Sequence, residues 1–449
     1  MYKLTFTLKQ HTPIIHFQHE QEGATLRASE VKPKLDRFII NEFGGSESLR
    51  TAHPEWFISH LNDALNYQMK VSVSDSFSYP IEVPKLDREN RIERDNRNEI
   101  RLEGFPCFFG NLGTQEPGKD KKFVFTQGLV TFVLSSGCFS FIQFLNSNHG
   151  EQIRSLFFNK INFATRQSKG FGSFSTTDDD GEVDYLESKY YFDVPIRTAS
   201  IANLRVQHNI RFPNERITEE QLLLLDKWRK LSYQINLFHK VLKSGYNQQG
   251  GYVKSSLFKY FKDVQQIQWD KKTIKEEYFL TELNNQIVNH NSEDIVKYDD
   301  RASTLKRRSI NGHLFLVRDL LGLTSEAEWK GTVYSNSTIS KTNDGIDRFK
   351  SPITYKPIMF EDEQGQFFRV FLFFEKIPDG FMNKSFDVKS NKAGNLILDT
   401  PERSAFSLTK YFNYLASNQF DINDLINIRN SDTNLISNMY NMLKSQDDE

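Results

Sequence analysis

A short segment rich in glycine, serine and basic residues has the composition of a phosphate-binding turn. The segment 166–175 reads Arg-Gln-Ser-Lys-Gly-Phe-Gly-Ser-Phe-Ser. Glycine tolerates positive φ and lets other atoms approach the backbone, so the N–H groups of Gly170–Ser173 could line a concave site for an anion. Arg166 and Lys169 add positive charge, and Phe171 adds a ring on which a nucleobase could stack. The pattern favours a nucleic-acid strand as ligand, with an ordinary glycine-rich hairpin turn as the alternative.

Three other clusters of basic residues lie next to predicted helices or strands. They are Arg27, Lys32, Lys34 and Arg37; Lys306, Arg307 and Arg308; and Arg348 and Lys350. The first cluster surrounds a predicted helix start, where backbone N–H groups and the helix dipole favour an anion. The second opens another predicted helix, and the third precedes a strand. A solvated charged face is the alternative interpretation for each cluster.

Few residues are arranged for metal or covalent chemistry. His11, His16 and His19 lie in the first strand and its loop, without an identifiable carboxylate or cysteine partner for a metal. His16 or His19 could act as a general acid or base in RNA cleavage without metal, although nothing singles them out. The run Asp178–Glu182 is typical of a solvated hairpin tip and lacks the remaining ligands of an EF-hand. We therefore expect no catalytic residue, no metal site and no cofactor.

Length and composition restrict the class of protein. A chain of 449 residues with 38% hydrophobic residues should form two or three domains with substantial cores. The formal net charge of −1 means that nucleic-acid binding must come from local basic patches or be shared with partner proteins. The two cysteines suit a reducing compartment, and neither a signal peptide nor a membrane span is apparent. We expect a cytoplasmic protein.

The predicted elements of the first part follow the order strand, helix, strand, strand, helix, strand, which is close to a ferredoxin-like βαββαβ domain. They are a strand over 2–8, a helix capped by Ser29 with Pro33 in its first turn, strands over 123–134 and 138–145, a helix over 151–158 and a strand over 190–196. The charge-rich segment 87–101 is expected to be an exposed insertion, either a mobile finger or a charged helix.

The second part of the chain shows a long helical pattern followed by another mixed segment. An apolar stripe predicts a helix from Thr218 to Lys243. Beyond it we expect a helix over 313–321, strands over 353–360, 367–376 and 386–398, and a helical tail from Ser404. The predicted domains are 1–205 with a charged insertion at about 72–122, a helical insertion over 206–311, a second domain over 312–403 and a helical tail over 404–449.

Several short motifs resemble the RAMP superfamily of CRISPR effector subunits. They are Thr12-Pro13-Ile14-Ile15, the segment 23–27 ending in Leu-Arg, the segment 31–38 at the helix start, the Gly-Phe-Gly-Ser stretch at 170–173, and Arg348-Phe349-Lys350-Ser351-Pro352. The chain is most similar to the family of first subunits of the type III-B Cmr complex. The resemblance implies an α+β fold of two ferredoxin-like, RRM-related domains in tandem.

The resemblance also implies a non-catalytic, RNA-binding role in a multisubunit ribonucleoprotein for antiviral defence. The expected partners are guide RNA near its 3′ end, target RNA and other RAMP subunits, but no membrane. The candidate RNA-binding residues are Arg27, Lys32, Lys34, Arg37, Arg166, Lys169, Gly170, Phe171, Gly172, Ser173, Lys306, Arg307, Arg308, Arg348 and Lys350. Two alternatives stay open. One is a RAMP endoribonuclease that processes guide precursors through His16 or His19, and the other is a scaffold that docks a neighbour through the helix at 218–243.

Overall fold

The computed structural model has an α+β fold, with helices packed on antiparallel sheets, which confirms the expected fold class. It describes residues 1–15, 25–81, 83–103, 122–177, 188–196, 199–248, 251–267, 315–324, 326–329, 337–343, 345–346, 348–363, 365–390 and 396–444. The chain divides into two compact units, Met1–Asn236 with Thr354–Phe373, and Leu237–Ile353 with Phe374–Glu449. The domain limits expected from the sequence, and the tandem repetition of one fold, stay predictions.

The first unit is built on a four-stranded antiparallel sheet. Its elements are β1 (Tyr2–Gln10), α1 (Ala28–Glu42), α2 (Ser46–Ala52), β2 (Gln68–Pro80), β3 (Val83–Pro84), β4 (Leu102–Glu103), β5 (Lys122–Ser136), α3 (Phe139–Leu145), α4 (Asn148–Lys160), β6 (Phe174–Thr176), β7 (Tyr191–Pro195) and α5 (Ile201–Arg211). The strand order in the main sheet is β2-β5-β1-β6. Helix α1 connects β1 to β2, and helices α3 and α4 connect β5 to β6, so both edge strands are reached through helices.

The core of the first unit lies between one face of this sheet and the helices. Leu4, Phe6 and Leu8 alternate with polar residues along β1 and are buried against the apolar sides of α1 and α4. Strand period places alternate side chains on opposite faces, so the other face of β1 carries the polar residues. Residues of β1 pair with β5 over the whole strand, with Phe6 opposite Phe132 and their rings stacked at 5.2 Å.

Four elements of the first unit differ from the expectation. The segment 138–145 is the helix α3 and not a strand, because Phe141, Ile142 and Leu145 bury one helical side. Ser29 does not cap α1, since the helix begins at Ala28 with Arg27 at the cap position, two residues before Ser29, and Pro33 lies inside the helix. The strand β2 extends to Pro80, into the segment expected to be an insertion. The residues from 87 to 101 form two tight turns and not a charged helix, each fixed by an aspartate that accepts backbone N–H bonds.

A second sheet, of three strands, and a long helix contain residues that are assigned to each of the two units. The sheet has the order β14-β15-β7, where β14 is Ile353–Asp362 and β15 is Gly365–Phe374. The helix α6 (Glu219–Lys243) spans the limit between the two units. Thr218 and Gln221 exchange side-chain to backbone hydrogen bonds of 3.1 and 3.2 Å at its start, a capping box that satisfies two free N–H groups.

The second unit contains several small sheets and three helices among its described residues. Its elements are β8 (Tyr246–Gln248), β9 (Gly251–Val253), α7 (Ser256–Asp263), β10 (Leu323–Thr324), β11 (Glu326–Trp329), β12 (Ser337–Thr342), β13 (Arg348–Phe349), β16 (Ser385–Ser390), β17 (Leu396–Asp399), α8 (Leu408–Ala416) and α9 (Ser431–Lys444). The strand expected over 386–398 is a pair of antiparallel strands, β16 and β17. The helix expected over 313–321 is described only as a short 3₁₀ turn at Arg318–Leu321. Among the described helices of the whole chain, none is long and apolar enough to cross a membrane.

Candidate nucleic-acid interface

The 166–173 loop is held against the end of β1 by the Thr-Pro motif. The Thr12 hydroxyl donates to the carbonyl of Gly170 at 2.7 Å and accepts from the N–H of Ser173 at 2.9 Å. The N–H of Gly172 donates to the carbonyl of Pro13 at 2.9 Å. Thr12 and Ser173 are fully buried, so these bonds are shielded from water. The motif therefore fixes the shape of the loop.

The backbone N–H groups of this loop are used inside the protein. Gly170 donates to the carbonyl of Gln167 at 3.2 Å, and Gly172 and Ser173 donate to Pro13 and Thr12. An anion site needs N–H groups that point outward and lack protein acceptors. The prediction that the N–H groups of Gly170, Gly172 and Ser173 hold a phosphate is therefore wrong.

The glycine at position 172 is required by close packing. Its φ is +65°, and a Cβ atom there would lie 2.0 Å from the carbonyl oxygen of Phe163. No side chain can occupy that space without moving the backbone. The glycines of the motif thus serve the fold directly.

Phe171 is buried and cannot stack on a base. Its side chain has no exposed surface, and its ring packs edge-on against Trp228 at 4.6 Å and parallel to Phe123 at 6.1 Å. Stacking needs an open ring face, so the predicted stacking of Phe171 is wrong. The ring anchors the loop in the apolar core of the first unit.

Helix α1 lies against the same loop, and Glu30 connects them. One carboxylate oxygen of Glu30 accepts from Lys34 at 3.0 Å, from the backbone N–H of Ala164 at 2.5 Å and from the side chain of Gln167 at 3.5 Å. Lys34 also lies 3.5 Å from the carbonyl of Asn162. The structure therefore brings part of the first basic cluster next to the loop that carries Arg166 and Lys169.

The basic side chains of α1 differ in their exposure and in their contacts with other protein groups. Lys32 forms a 2.6 Å ion pair with the buried Asp36 and donates to the carbonyl of Leu65 at 3.0 Å, whereas Arg37 is exposed. Lys32 and Arg37 line a cleft of about 480 Å³ that Asp36 and Asp63 also line. The two carboxylates make this cleft mixed in charge, so the positive charge available to a ligand on α1 is concentrated at Arg37.

The remaining candidates of this region are partly covered. Arg27 occupies the cap position of α1 and is half-buried. Arg166 is half-buried with a φ of +63°. The Lys169 amine is buried and lies 5.9 Å from the centre of the Tyr355 ring, so the predicted contact of Lys169 with an RNA phosphate is wrong.

The other candidates fall in the second unit or outside the described residues. Arg348 is exposed in β13, opposite Thr324, and Lys350 is exposed and forms a 2.6 Å ion pair with Glu375. Lys306, Arg307 and Arg308 lie outside the described residues, and so do His16, His19 and the acidic run from Asp178.

A pair of buried basic side chains in the first unit was not anticipated from the sequence. Lys356 has no exposed surface and donates to the carbonyls of Phe158, Ile161 and Phe174 at 2.7, 3.0 and 2.8 Å. Burial lowers the pKa of Lys356 well below its ordinary value. The pKa of His11 is also well below its ordinary value, first because of burial and then because of the charges of Lys356 and Lys9.

The His11 ring is also held by hydrogen bonds within the first unit. Nδ1 of His11 accepts from the N–H of Met359 at 3.2 Å, and Nε2 lies 2.7 Å from the Ser175 hydroxyl. Both ring nitrogens are therefore engaged inside the protein. A lysine or histidine within an apolar strand pattern was the signal that could have marked these positions.

The apolar stripe of α6 is already buried. Leu225, Trp228, Leu231, Ile235 and Leu242 are between 0 and 4% exposed. The alternative in which the helix at 218–243 docks a neighbouring subunit stays a prediction, and these buried side chains would take no part in it. Within the described structure these side chains pack against other residues of the chain.

Two family models match almost the whole chain. The Cmr1 N-terminal domain matches residues 1–246, and the Cmr1 C-terminal domain matches residues 252–444. The chain belongs to the Cmr1 family. It is a Cmr1-like subunit of the type III-B CRISPR complex, as its short motifs indicated. A search of the curated proteins finds no match.

Proposed function

We propose that this Cmr1-family chain is a non-catalytic subunit that binds guide RNA, or the guide–target duplex, near the 3′ end of the guide. The observation that supports the proposal most directly is the contact between Glu30 and the loop at 164–167. It joins two basic clusters that are far apart in sequence into one surface, called here the α1–loop surface and defined by Lys34, Arg37 and Arg166. We further propose that each half of the chain is a ferredoxin-like domain, which the strand order β2-β5-β1-β6 supports for the first.

Phosphate contacts suit these residues because lysine and arginine hold the nucleic-acid backbone without reading its sequence. In an RNA-guided complex base pairing supplies the sequence specificity, and the protein needs to recognise backbone and shape. The near-neutral charge of the chain fits a subunit that shares its RNA with neighbours.

A double variant tests the α1–loop surface. Arg37→Gln with Arg166→Gln should weaken guide RNA binding by the full chain, and the slope of log affinity against log salt should fall by about 1 for each phosphate that the variant no longer binds. Lys384→Gln with Lys410→Gln removes the same charge from exposed positions in the second unit and is the matched control. Equal affinities of the two variants would contradict the proposed surface.

A cleavage assay tests the non-catalytic role. We expect no cleavage of repeat-containing precursor RNA by the chain alone, in the presence of a chelator. Cleavage that disappears in His16→Ala or His19→Ala would establish the endoribonuclease alternative.

A further inference from the structure

The outer face of the main sheet in the first unit is open and polar. Along β1, Lys3, Thr5 and Lys9 are exposed, while the alternating Leu4 and Leu8 are buried in the core. On β2, Lys70 and Ser72 are exposed in the same way. The helices α1 and α4 pack on the opposite, inner face, so this outer face is separate from the α1–loop surface.

The strand register places these side chains on one surface. Thr5 lies opposite Val133, which lies opposite Lys70, and Thr7 lies opposite Thr131, which lies opposite Ser72. In-register residues of adjacent strands point to the same face of a sheet. The open face is defined here by Lys3, Thr5, Thr7, Lys9, Lys70 and Ser72. Lys3 and Lys9 lie about 20 Å apart along the strand at about 3.3 Å per residue.

The strand positions of the open face carry positive charge and no carboxylate. Its outward positions on β1, on β2 from 68 to 72 and on β5 from 129 to 135 are lysine, serine, threonine, glutamine, valine or leucine. Lys3, Lys9 and Lys70 form no ion pair with any described residue. At the Lys9 end, burial lowers the pKa of Lys227. The negative charges of Glu361 and Glu220 oppose this effect, and the positive charge of Lys9 adds to it.

The residue types indicate which part of a ligand this face would contact. Lysine amines attract phosphates as point charges, and serine and threonine hydroxyls bond phosphate or sugar oxygens. The outward positions of these strands carry no aromatic side chain on which a base could stack. Contacts would therefore be limited to the backbone and would not depend on sequence.

We propose that the open face binds the sugar–phosphate backbone of a single-stranded RNA segment, separately from the α1–loop surface. This inference rests on the proposed RNA-binding function and adds a second surface to it. The three strands β2, β5 and β1, spaced about 4.8 Å apart, give a face roughly 10 Å wide, which suits one strand of nucleic acid. An acidic protein segment is the other polyanion that such a face could attract.

A triple variant with a charge-matched control tests the inference. The probe is a short fluorescently labelled oligouridine, measured by anisotropy against the full chain over a range of salt concentrations. Lys3→Gln with Lys9→Gln and Lys70→Gln should weaken binding roughly tenfold and lower the salt slope by about 2, since each single-strand phosphate contributes about 0.7. Lys384→Gln with Lys389→Gln and Lys410→Gln removes the same charge and should bind like the unmodified chain. Unchanged melting temperatures would show that both variants are folded.

The outcomes separate this inference from the proposed function. Loss of oligouridine binding in the triple variant alone supports the open face. If that variant binds like its control while Arg37→Gln with Arg166→Gln loses guide RNA, the open face is wrong and the proposed function stands. If no variant loses RNA, both are wrong. If polyglutamate displaces oligouridine at equal charge concentration and binds more tightly than the RNA does, the surface is a site for an acidic protein and the inference is overturned.

Discussion

The glycine-rich loop shows how a residue pattern can be noticed for one reason and required for another. Gly172 has positive φ and no room for a side chain, and Phe171 fills the core beside Trp228. The sequence therefore located a critical segment correctly. It could not show that the N–H groups point inward, because their acceptors on Thr12 and Pro13 are far away in sequence.

A substitution at Gly172 tests this packing directly. Gly172→Ala should strongly lower the melting temperature, since the new Cβ would lie 2.0 Å from the carbonyl oxygen of Phe163. Gly345→Ala is the control, because Gly345 also has positive φ, +93°, but has open space around its Cβ position. Backbone strain alone should cost about 1–2 kcal/mol there. Equal melting temperatures for the two variants would contradict the close approach.

A conservative change at Phe171 separates packing from base stacking. Phe171→Leu should leave RNA affinity within about twofold while lowering the free energy of unfolding, because the ring contacts only protein. Loss of a stacked base would instead weaken binding by about 1–3 kcal/mol. Weaker RNA binding at an unchanged melting temperature would restore the stacking role.

Lys243 provides a test through pH. Its amine donates to the carbonyls of Leu321 and Gly322, and burial lowers its pKa from the ordinary 10.5 to about 8, against the opposing charge of Asp319. Between these two values the unfolded chain binds a proton that the folded chain does not, so stability should rise with pH across this window.

The comparison for this pH effect is Lys243→Met, which cannot titrate. The free energy of unfolding of the unmodified chain should rise relative to the variant by at most about 1.4 kcal/mol per pH unit. Denaturant titrations across the window measure this difference. Parallel stability curves would show that the pKa of Lys243 is not lowered.

At the scale of elements, the hydrogen bonds of Thr12 connect β1 to the loop that precedes β6. Thr12→Val keeps the side-chain volume but leaves the carbonyl of Gly170 and the N–H of Ser173 without this partner. Each unsatisfied buried group costs about 1–3 kcal/mol. Thr5→Val on the exposed face of the same strand should change the unfolding free energy by less than about 0.5 kcal/mol. A similar loss of unfolding free energy in Thr12→Val and Thr5→Val would contradict the role of the Thr12 hydroxyl in holding the loop.

Elements whose apolar residues fit a single periodicity could be predicted from the sequence. Segments whose apolar residues fit both the strand and the helix periodicity could not. The alternation over 2–8 predicted β1, and the apolar stripe after Thr218 predicted α6. The segment 139–145 carries apolar residues at both strand and helix spacing, and the choice of a strand was wrong. For β2, Met69, Val71 and Val73 do alternate, but neighbouring charge and serine obscured the strand.

The candidate site was predictable in its members but less so in their arrangement. Arg37 was recognised in a basic cluster at a helix start, and Arg166 in a basic, glycine-rich turn. The contact that brings α1 to the loop depends on Glu30, which carries the opposite charge and therefore gave no signal for an anion site. Side chains that position a binding surface need not resemble the surface itself.

At the scale of the whole molecule, family membership and electrostatics support the same account. The Cmr1 models cover both halves of the chain, and a net charge of −1 leaves RNA binding to local surfaces. The α1–loop surface and the open face of the main sheet are the two such surfaces proposed for the first unit. A subunit of this kind would contribute contacts to an RNA that is held by several proteins.

The measurement that tests this account most directly is crosslinking within the reconstituted Cmr complex. Guide RNAs would carry a photoreactive 4-thiouridine at single positions from the 5′ end to the 3′ end. The account predicts that this chain crosslinks to positions near the 3′ end, and that the crosslinks weaken when Arg37→Gln and Arg166→Gln are combined. Crosslinks confined to the 5′ end, or their complete absence from this chain, would contradict the proposed role.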